Sequence, residues 1–505
     1  MYRQPAPFRR PYSAIGTFPP GRRGMAAVLA MLFLVLFSIL AISFTATVGT
    51  SVQVSSNEIN GAKALLAAES GMSFIRRYLY NLDINHKTPV EQLFNQVYHD
   101  LEVGLNDTNN LNSEKIGINA AGDTISIPAT QSIFIPCDAV GAGFHLVITQ
   151  AGKKLKVTST GHYDPDGPIN PLKPRIDNSV TRTIELTFDI YERPSSIFGY
   201  GVASKSNITM IGNTSIIGSP SATSGSVLST SATDFPLVMG ATSTISGEVS
   251  FTNPSAWVDA KAGSTINNEK GESNWKDNVH FVDDPDFPEV DTADYVKYVP
   301  GPTATGAGVV STKNPAGTVF SNIRIKAGAN PTFSGNTDLK GVIYVESPNM
   351  VTFAGNAKIT GIIVVQNTPT GDWTTNSIDF KGTVDAAGVN AKDANGNYIL
   401  SGAQYTGLPA LGGAFILAPK FTVKFGGNAG TTQVAGSIIA SALDFYGSVA
   451  TSIDGSVINL DQSYVNFQGK ASVTIKSKGT RDKPHGLFFG SRYEPLPETY
   501  QEVTP

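Results

Sequence analysis

Two stretches decide the reading: PTFSGNTDLKGVIYV (331–345) and VTFAGNAKITGIIVV (351–365). They align at a step of twenty residues. Phe333, Gly335, Asn336, Leu339, Gly341, Ile343 and Val345 match Phe353, Gly355, Asn356, Ile359, Gly361, Ile363 and Val365. The triplet Phe-x-Gly returns at Phe380, Phe425, Phe445 and Phe467. Looser copies, Met210-Ile211-Gly212-Asn213 and Val238-Met239-Gly240, carry an aliphatic residue in place of Phe. Side chains alternate across a strand, so an inward Phe leaves the next residue outside, and Gly takes a tight turn that a Cβ would obstruct. Asn after Gly tolerates the left-handed conformation. A repeat of fixed period buries its apolar face against its neighbours. Twenty residues suits one turn of a three-faced β-helix, with coils about 4.8 Å apart and Phe over Phe, Ile over Ile. Leucine-rich repeats share the period but need far more Leu, and a β-sandwich does not explain in-register repeats.

This β-solenoid is expected over 194–480, with insertions at about 257–308 and 372–405. The first insertion holds the acidic run Asp283-Asp284-Pro285-Asp286-Phe287-Pro288-Glu289-Val290-Asp291. It reads as a metal loop or as a strap across the solenoid; the strap is favoured, because Phe287, Val290 and Tyr295 are better packing residues than ligands. Residues 83–193 read as a small α+β unit. Pro89–Leu105 has helical spacing, Phe144–Thr149 and Leu155–Tyr163 form a hairpin about Ala151-Gly152, and Thr181–Tyr191 is a strand with Ile184, Leu186, Phe188 and Ile190 inward. Asp164–Asn178 is expected as a solvated turn, with calcium binding the lesser alternative. A Pro- and charge-rich tail, 481–505, is expected to lie loosely on the surface. Exposed solenoid ends need covering against edge pairing.

Composition agrees with a mainly β exported protein. Hydrophobic residues make up 41% of 505, enough for proper cores, while charged residues are only 15%, below the roughly 25% of typical soluble domains. The net charge of −4 gives no nucleic-acid signal. Cys137 is the sole cysteine, which excludes an intrachain disulfide, and a buried or semi-buried thiol is its expected state.

Before the repeats comes MAAVLAMLFLVLFSILAI (Met25–Ile42), with Ser38 its only polar residue. It is long enough to span a bilayer as a helix. Arg3, Arg9, Arg10, Arg22 and Arg23 precede it with no acidic residue, which holds the N-terminus in the cytoplasm. A cleaved secretory signal fits less well. Its apolar core would be shorter, and Ala41-Ile42-Ser43 poorly matches a cleavage site. No proline occurs until Pro89, and Ile59, Ala62, Leu66, Met72, Ile75 and Leu79 mark one face of a continuing helix. A helix over 25–82 is roughly 85 Å long. Gly49, Gly61 and Gly71 each weaken it by about 1 kcal/mol relative to Ala, and are expected bend or close-packing points.

The basic leader 1–24, ending Gly21-Arg22-Arg23-Gly24 ahead of an apolar helix, and then Ala67-Ala68-Glu69-Ser70-Gly71-Met72, resemble the N-terminus of PilX-type minor pilins. The resemblance covers roughly 20–85 and returns weakly at 155–191. It implies cleavage by a prepilin peptidase between Gly24 and Met25 and methylation of the Met25 amine. Major pilins carry Glu at the fifth mature position, where this chain has Leu29. Without that carboxylate, a neighbour's amine loses its partner in the apolar phase. The K-type minor pseudopilin of type II secretion also lacks it and is thought to cap a filament tip. The implied partners are other pilins or pseudopilins, the prepilin peptidase, and the inner membrane with its assembly platform. The bulk would be periplasmic or in an extracellular filament.

Enzyme signatures are absent: no Gly-x-Ser-x-Gly, no His-Glu-x-x-His and no phosphate-binding Gly-Lys loop. His86, His99, His145, His162, His280 and His485 are isolated in sequence. Asp338, Asp379, Asp385, Asp444 and Asp454 are the carboxylates that distant coils could bring to one face. The expectation is a non-enzymatic pilin-like minor subunit without cofactor, catalytic residue or metal. It would act in filament priming, capping or surface binding, with surface polysaccharide a candidate partner. The alternative is a membrane-anchored adhesin or a carbohydrate-active β-helix protein.

Overall fold

The computed structural model describes residues 23–85, 87–137, 141–165, 179–477 and 483–503. The leader over 1–22 and nearly all of the Asp164–Asn178 turn lie outside them. The chain is mainly β with one long N-terminal helix, and it divides into two compact units. The first comprises the chain up to Leu82, then Pro89–Ile190 and Tyr493 onward; the second comprises Asp83–Thr88 and Tyr191–Arg492.

In the first unit, helix α1 runs Arg23–Asn81 without a break. Its N-terminal half is exposed throughout, and its C-terminal half lies on an antiparallel sheet. The buried face is the expected one from Met72 onward, at Met72, Ile75 and Leu79, and departs from it before that. Ile59 and Leu66 point outward, 53% and 60% exposed, while Ala64, Ala67, Ala68, Met72, Ile75 and Leu79 are buried. The reason is close approach. A Cβ on Gly161 would collide with the Ala64 carbonyl and the Ala68 amide, and one on Gly71 would meet Phe144 at 2.8 Å. Only small residues fit at that distance, so the larger apolar ones are turned away. Ser159 Oγ donates to the Ala68 carbonyl at 2.7 Å, fixing the contact.

The sheet contains Thr124–Ile127, the hairpin Ala142–Ala151 and Lys154–Tyr163, and Val180–Glu192. The hairpin turns at Gly152 with φ 66°. Helix α2, Val90–Leu105, buries Leu93, Phe94, Val97, Leu101 and Leu105, the stripe its spacing predicts. The segment expected as a loose tail is instead structured. Ser491–Val503 is a strand beside Val180–Glu192, and the Thr187 amide donates to Thr499 Oγ1 at 2.9 Å. Cys137 is exposed rather than buried.

The second unit carries a 26-stranded, predominantly parallel sheet. Its repeats layer on one another in register along three ladders. Phe333 pairs with Phe353, and Thr337–Val345 pairs residue for residue with Ala357–Val365. The rings of Phe333, Phe353, Phe380, Phe425, Phe445 and Phe467 stack with successive centroids 5.0, 4.8, 5.0, 5.3 and 5.0 Å apart. Met210 and Met239 continue the row beyond Phe467. The left-handed residue at the turn is Gly335 itself, φ 76°, not the Asn that follows it. Asn356 instead donates to Asn336 Oδ1 at 3.2 Å. At an inner corner, buried Asn349 and Asn376 each accept the amide of the residue one layer away, at 2.9 Å. They thereby satisfy main-chain donors that the bend leaves open.

Layer order departs from chain order. One ladder runs through Val309–Val310, Val319–Ile325, Thr337–Val345, Ala357–Val365, Ala414–Phe425, Ser437–Phe445 and Val457–Asn459. It then continues into Val202–Ser204, Val227–Ser229, Val249–Phe251 and Val279–Phe281. The first repeat in sequence is therefore an interior layer, held between the second and the last, and not an end that needs covering.

The insertions are shorter than expected. Val258–Ala260, Thr265–Ile266 and Val279–Phe281 keep their places in the ladders, with a short excursion over 267–278 in which Glu269–Lys270 turns back antiparallel and Glu272–Trp275 is helical, and the longer excursion begins at 282. Ser377–Phe380 and Val384–Ala387 do the same, and the second long excursion covers 388–413. The excursion from 282 is a strap. Tyr295 is fully buried and donates to the Leu411 carbonyl at 3.0 Å, and Thr292 Oγ1 donates to the Val365 carbonyl at 2.7 Å. Phe287 and Val290 pack on the same apolar cluster. Leu487–Phe488 pairs antiparallel with Glu289–Val290.

Candidate functional site

The helix α1 supplies the first candidate. From Met25 to Asn57 it carries no charged residue, and its 18-residue apolar window has mean hydropathy 2.9 with none of it buried. Met25 is 76% exposed and Leu29 56% exposed. Ser38 donates to the Leu34 carbonyl, and Thr45, Thr47 and Thr50 bond back to carbonyls four residues earlier. Each hydroxyl is thus satisfied inside the helix and makes no demand on water. The helix can cross a membrane by length and composition.

The acidic run of the strap is engaged in ion pairs and packing. Asp286 lies 3.6 Å from Arg193, Asp291 3.6 Å from Lys87, and Asn85 donates to Glu289 at 3.4 Å. Among the described residues, no three His, Cys, Asp or Glu side chains gather as a metal site. The histidines have separate surroundings. His145 is buried against the Pro128 carbonyl at 3.1 Å, and burial lowers its pKa. His162 stacks on Phe134, His280 pairs with Glu248, and His485 meets Asp294 at 2.8 Å. His86 lies outside the described residues.

The five aspartates divide between faces. Asp338 and Asp385 flank Lys358 on one ladder. Asp379 and Asp444 flank Lys424 on another. Asp454 stands beside Ala435 on the same ladder as Asp338 and Asp385, two layers beyond Asp385. Alternating sign along a ladder avoids the repulsion that like charges would suffer in adjacent layers. Burial pushes the Asp444 carboxyl above its ordinary range, with Lys424 countering and Asp379 adding to the rise. Tyr446 lies over Gly426, where a Cβ would strike its ring, and donates to Asp379 Oδ1 at 2.9 Å. Burial, and then Asp379, raise the Tyr446 pKa, so its hydroxyl stays a donor.

A groove escaped the sequence reading. It has a volume of about 460 Å³ and crosses three successive layers, lined by Asn336, Thr337, Asp338, Asn356, Lys358 and Asp385. Asp338 Oδ1 is buried there without a hydrogen-bond partner, while Oδ2 lies 3.6 Å from Lys340. The repeated Gly-Asn at 335–336 and 355–356 was its one trace in the sequence.

No family model matches the chain, and no curated protein matches it. Among solved structures, the competence-associated pilin ComZ from Thermus thermophilus is similar at 9% identity, with 88% of this chain and 97% of that chain covered. The TM-score is 0.28, a weak likeness.

Proposed function

We propose that the chain is a pilin-like minor subunit of a type IV pilus or type II secretion pseudopilus, held in the inner membrane by α1. The second unit is read as a three-faced β-helix that serves as a head for priming, capping or surface binding. One observation carries the reading. An uninterrupted helix leaves an uncharged half bare and packs its other half on a sheet. Water does not tolerate so much contiguous apolar surface, which bilayer and sister helices would cover. Gly24 and Met25 are the proposed cleavage and N-methylation site, at the cytoplasmic edge of the apolar run. Leu29 leaves no carboxylate to meet a neighbour's amine, which suits a terminal or rare position better than repeated insertion. The division of the aspartates between faces supports a binding role without catalysis.

Mass spectrometry of the native N-terminus tests this. The expected first residue is N-methylated Met25. A mature chain beginning near Thr45 refutes the pilin reading and favours a secretory signal.

A further inference from the structure

We propose that the outward face of α1 between Val48 and Leu66 is a parallel two-stranded coiled-coil seam that takes a second copy of this chain. The inference rests on the reading of α1 as a membrane anchor and deepens it by naming the partner and the surface.

Spacing is the first argument. Val48, Val52, Ser55, Ile59, Ala62 and Leu66 follow one another at steps of four, three, four, three and four. That is the a/d pattern of a heptad, with Val52, Ile59 and Leu66 at a and Val48, Ser55 and Ala62 at d. All six are exposed, with Val52, Ile59 and Leu66 at 63, 53 and 60%. They lie on the side of the helix away from Ala64, Ala68 and Ile75, which the sheet covers. From Met25 the helix needs about 20 residues to cross the hydrocarbon. The stripe therefore begins just outside the bilayer and runs for about 27 Å in water. An apolar stripe there is driven to find a cover, as it is not among lipid tails.

Charge selects the occupant. In a parallel pair, a g residue of one helix faces the e residue five positions later in the other, and opposite charges there set partner and orientation. Glu58 stands at g and Lys63 at e, and they are the first two charged residues of α1 after Arg23. The seam is thus complementary to itself, with an ion pair on each flank. The anchor supplies the direction and the register. Copies inserted in one bilayer with the same sidedness run parallel, and their apolar spans hold them at one height, which sets Glu58 opposite the partner's Lys63. Within its own chain Lys63 donates to Tyr163 Oη at 2.8 Å, and its ammonium keeps two further donors for a carboxylate. The β-branched Val52 and Ile59 at a favour two strands over more. A lipid surface would ask for basic residues beside the stripe, and Lys63 is the only one between Arg23 and Arg76.

The test uses the full chain in its native membranes, with Cys137→Ser to remove the native thiol. Ser55→Cys and Ile59→Cys lie on the seam; Gln53→Cys and Asn57→Cys lie off it. Mild oxidation should link the first two into a disulfide dimer about tenfold faster or more than the other two. Glu58→Lys and Lys63→Glu should each weaken self-linking about tenfold or more. Co-expressed, these two variants should link to each other as the parent does, because both flanks again pair opposite charges. That rescue separates lost pairing from lost folding. Equal linking at all four positions, no self-linked dimer, or no rescue overturns the inference. Carbonate extraction and N-terminal mass spectrometry of the same membranes report the anchor. A retained helix beginning at Met25 without the dimer refutes this inference alone, and a chain cut near Thr45 overturns both readings.

Discussion

Replacing Phe380 by Ala probes what holds the repeats together. Phe380 is fully buried between Phe353, 4.8 Å away at an interplanar angle of 8°, and Phe425, 5.0 Å away at 15°. A buried Phe→Ala change costs about 3–5 kcal/mol, and each lost ring pair adds about 0.5–1.5 kcal/mol beyond area. The layers on both sides are fixed by in-register ladders, so the cavity has little freedom to collapse. The expected loss is therefore at the top of the range, about 5 kcal/mol. Phe320 provides the comparison. It is only partly buried and meets Phe333 edge-on at 5.3 Å. Phe320→Ala should cost about 1–2 kcal/mol. Urea unfolding of both variants in detergent, by fluorescence and circular dichroism with coincident transitions, measures the difference. A gap under about 1 kcal/mol would refute the claim that the ring row carries the stack.

Gly161→Ala should force α1 off the sheet and lower stability by about 3 kcal/mol; hydrogen exchange at Ala64–Met72 reads it, and unchanged protection would contradict the close-approach argument. Asp444 titrates with a definite sign. Its folded pKa is raised by burial, so its stabilising protonated form is complete below the unfolded value of about 3.9 and is lost as pH rises through the folded value. Asp444→Asn should therefore raise stability at neutral pH and flatten the slope of urea midpoint against pH above about 4; an unchanged slope would count against a buried carboxyl. Tyr295→Phe removes the donor to the Leu411 carbonyl, at about 1–2 kcal/mol. Limited proteolysis should then cut the strap faster, and an unaltered rate would mean that the hydroxyl does not pin it.

The repeats were legible because Phe, Gly and the inward aliphatic residues recur at one spacing, and the ladders reproduce that spacing directly. Helix α2 and the hairpin about Gly152 were legible for the same reason: periodicity is local. The buried face of α1 was legible only from Met72 onward. Hydrophobicity pointed to Ile59 and Leu66, but the sheet comes too near at Gly161 for either to fit. Val258–Ala260 and Thr265–Ile266 are two or three residues long, too short to show alternation, and so are not legible as strands. The C-terminal strand hid behind Pro495 and Pro497, residues tolerated at a sheet edge. The groove depends on layers being neighbours, and pairing across layers is invisible until the fold is known.

The interior position of Val202–Ser204 bears on how this protein is made. Its upper face is finished only by Val457–Asn459, and Ser204 Oγ donates to Asn459 Oδ1, 255 positions later, at 3.0 Å. Loop closure of that length makes for slow folding. During synthesis and translocation, the segment emerging first stays open on one side until nearly the whole chain has followed. A truncation near Gly455 would thus leave a raw edge in the middle of the molecule, where other chains could pair. A nick in the strap, by contrast, would cut the covalent link between the two winding blocks while leaving every ladder intact.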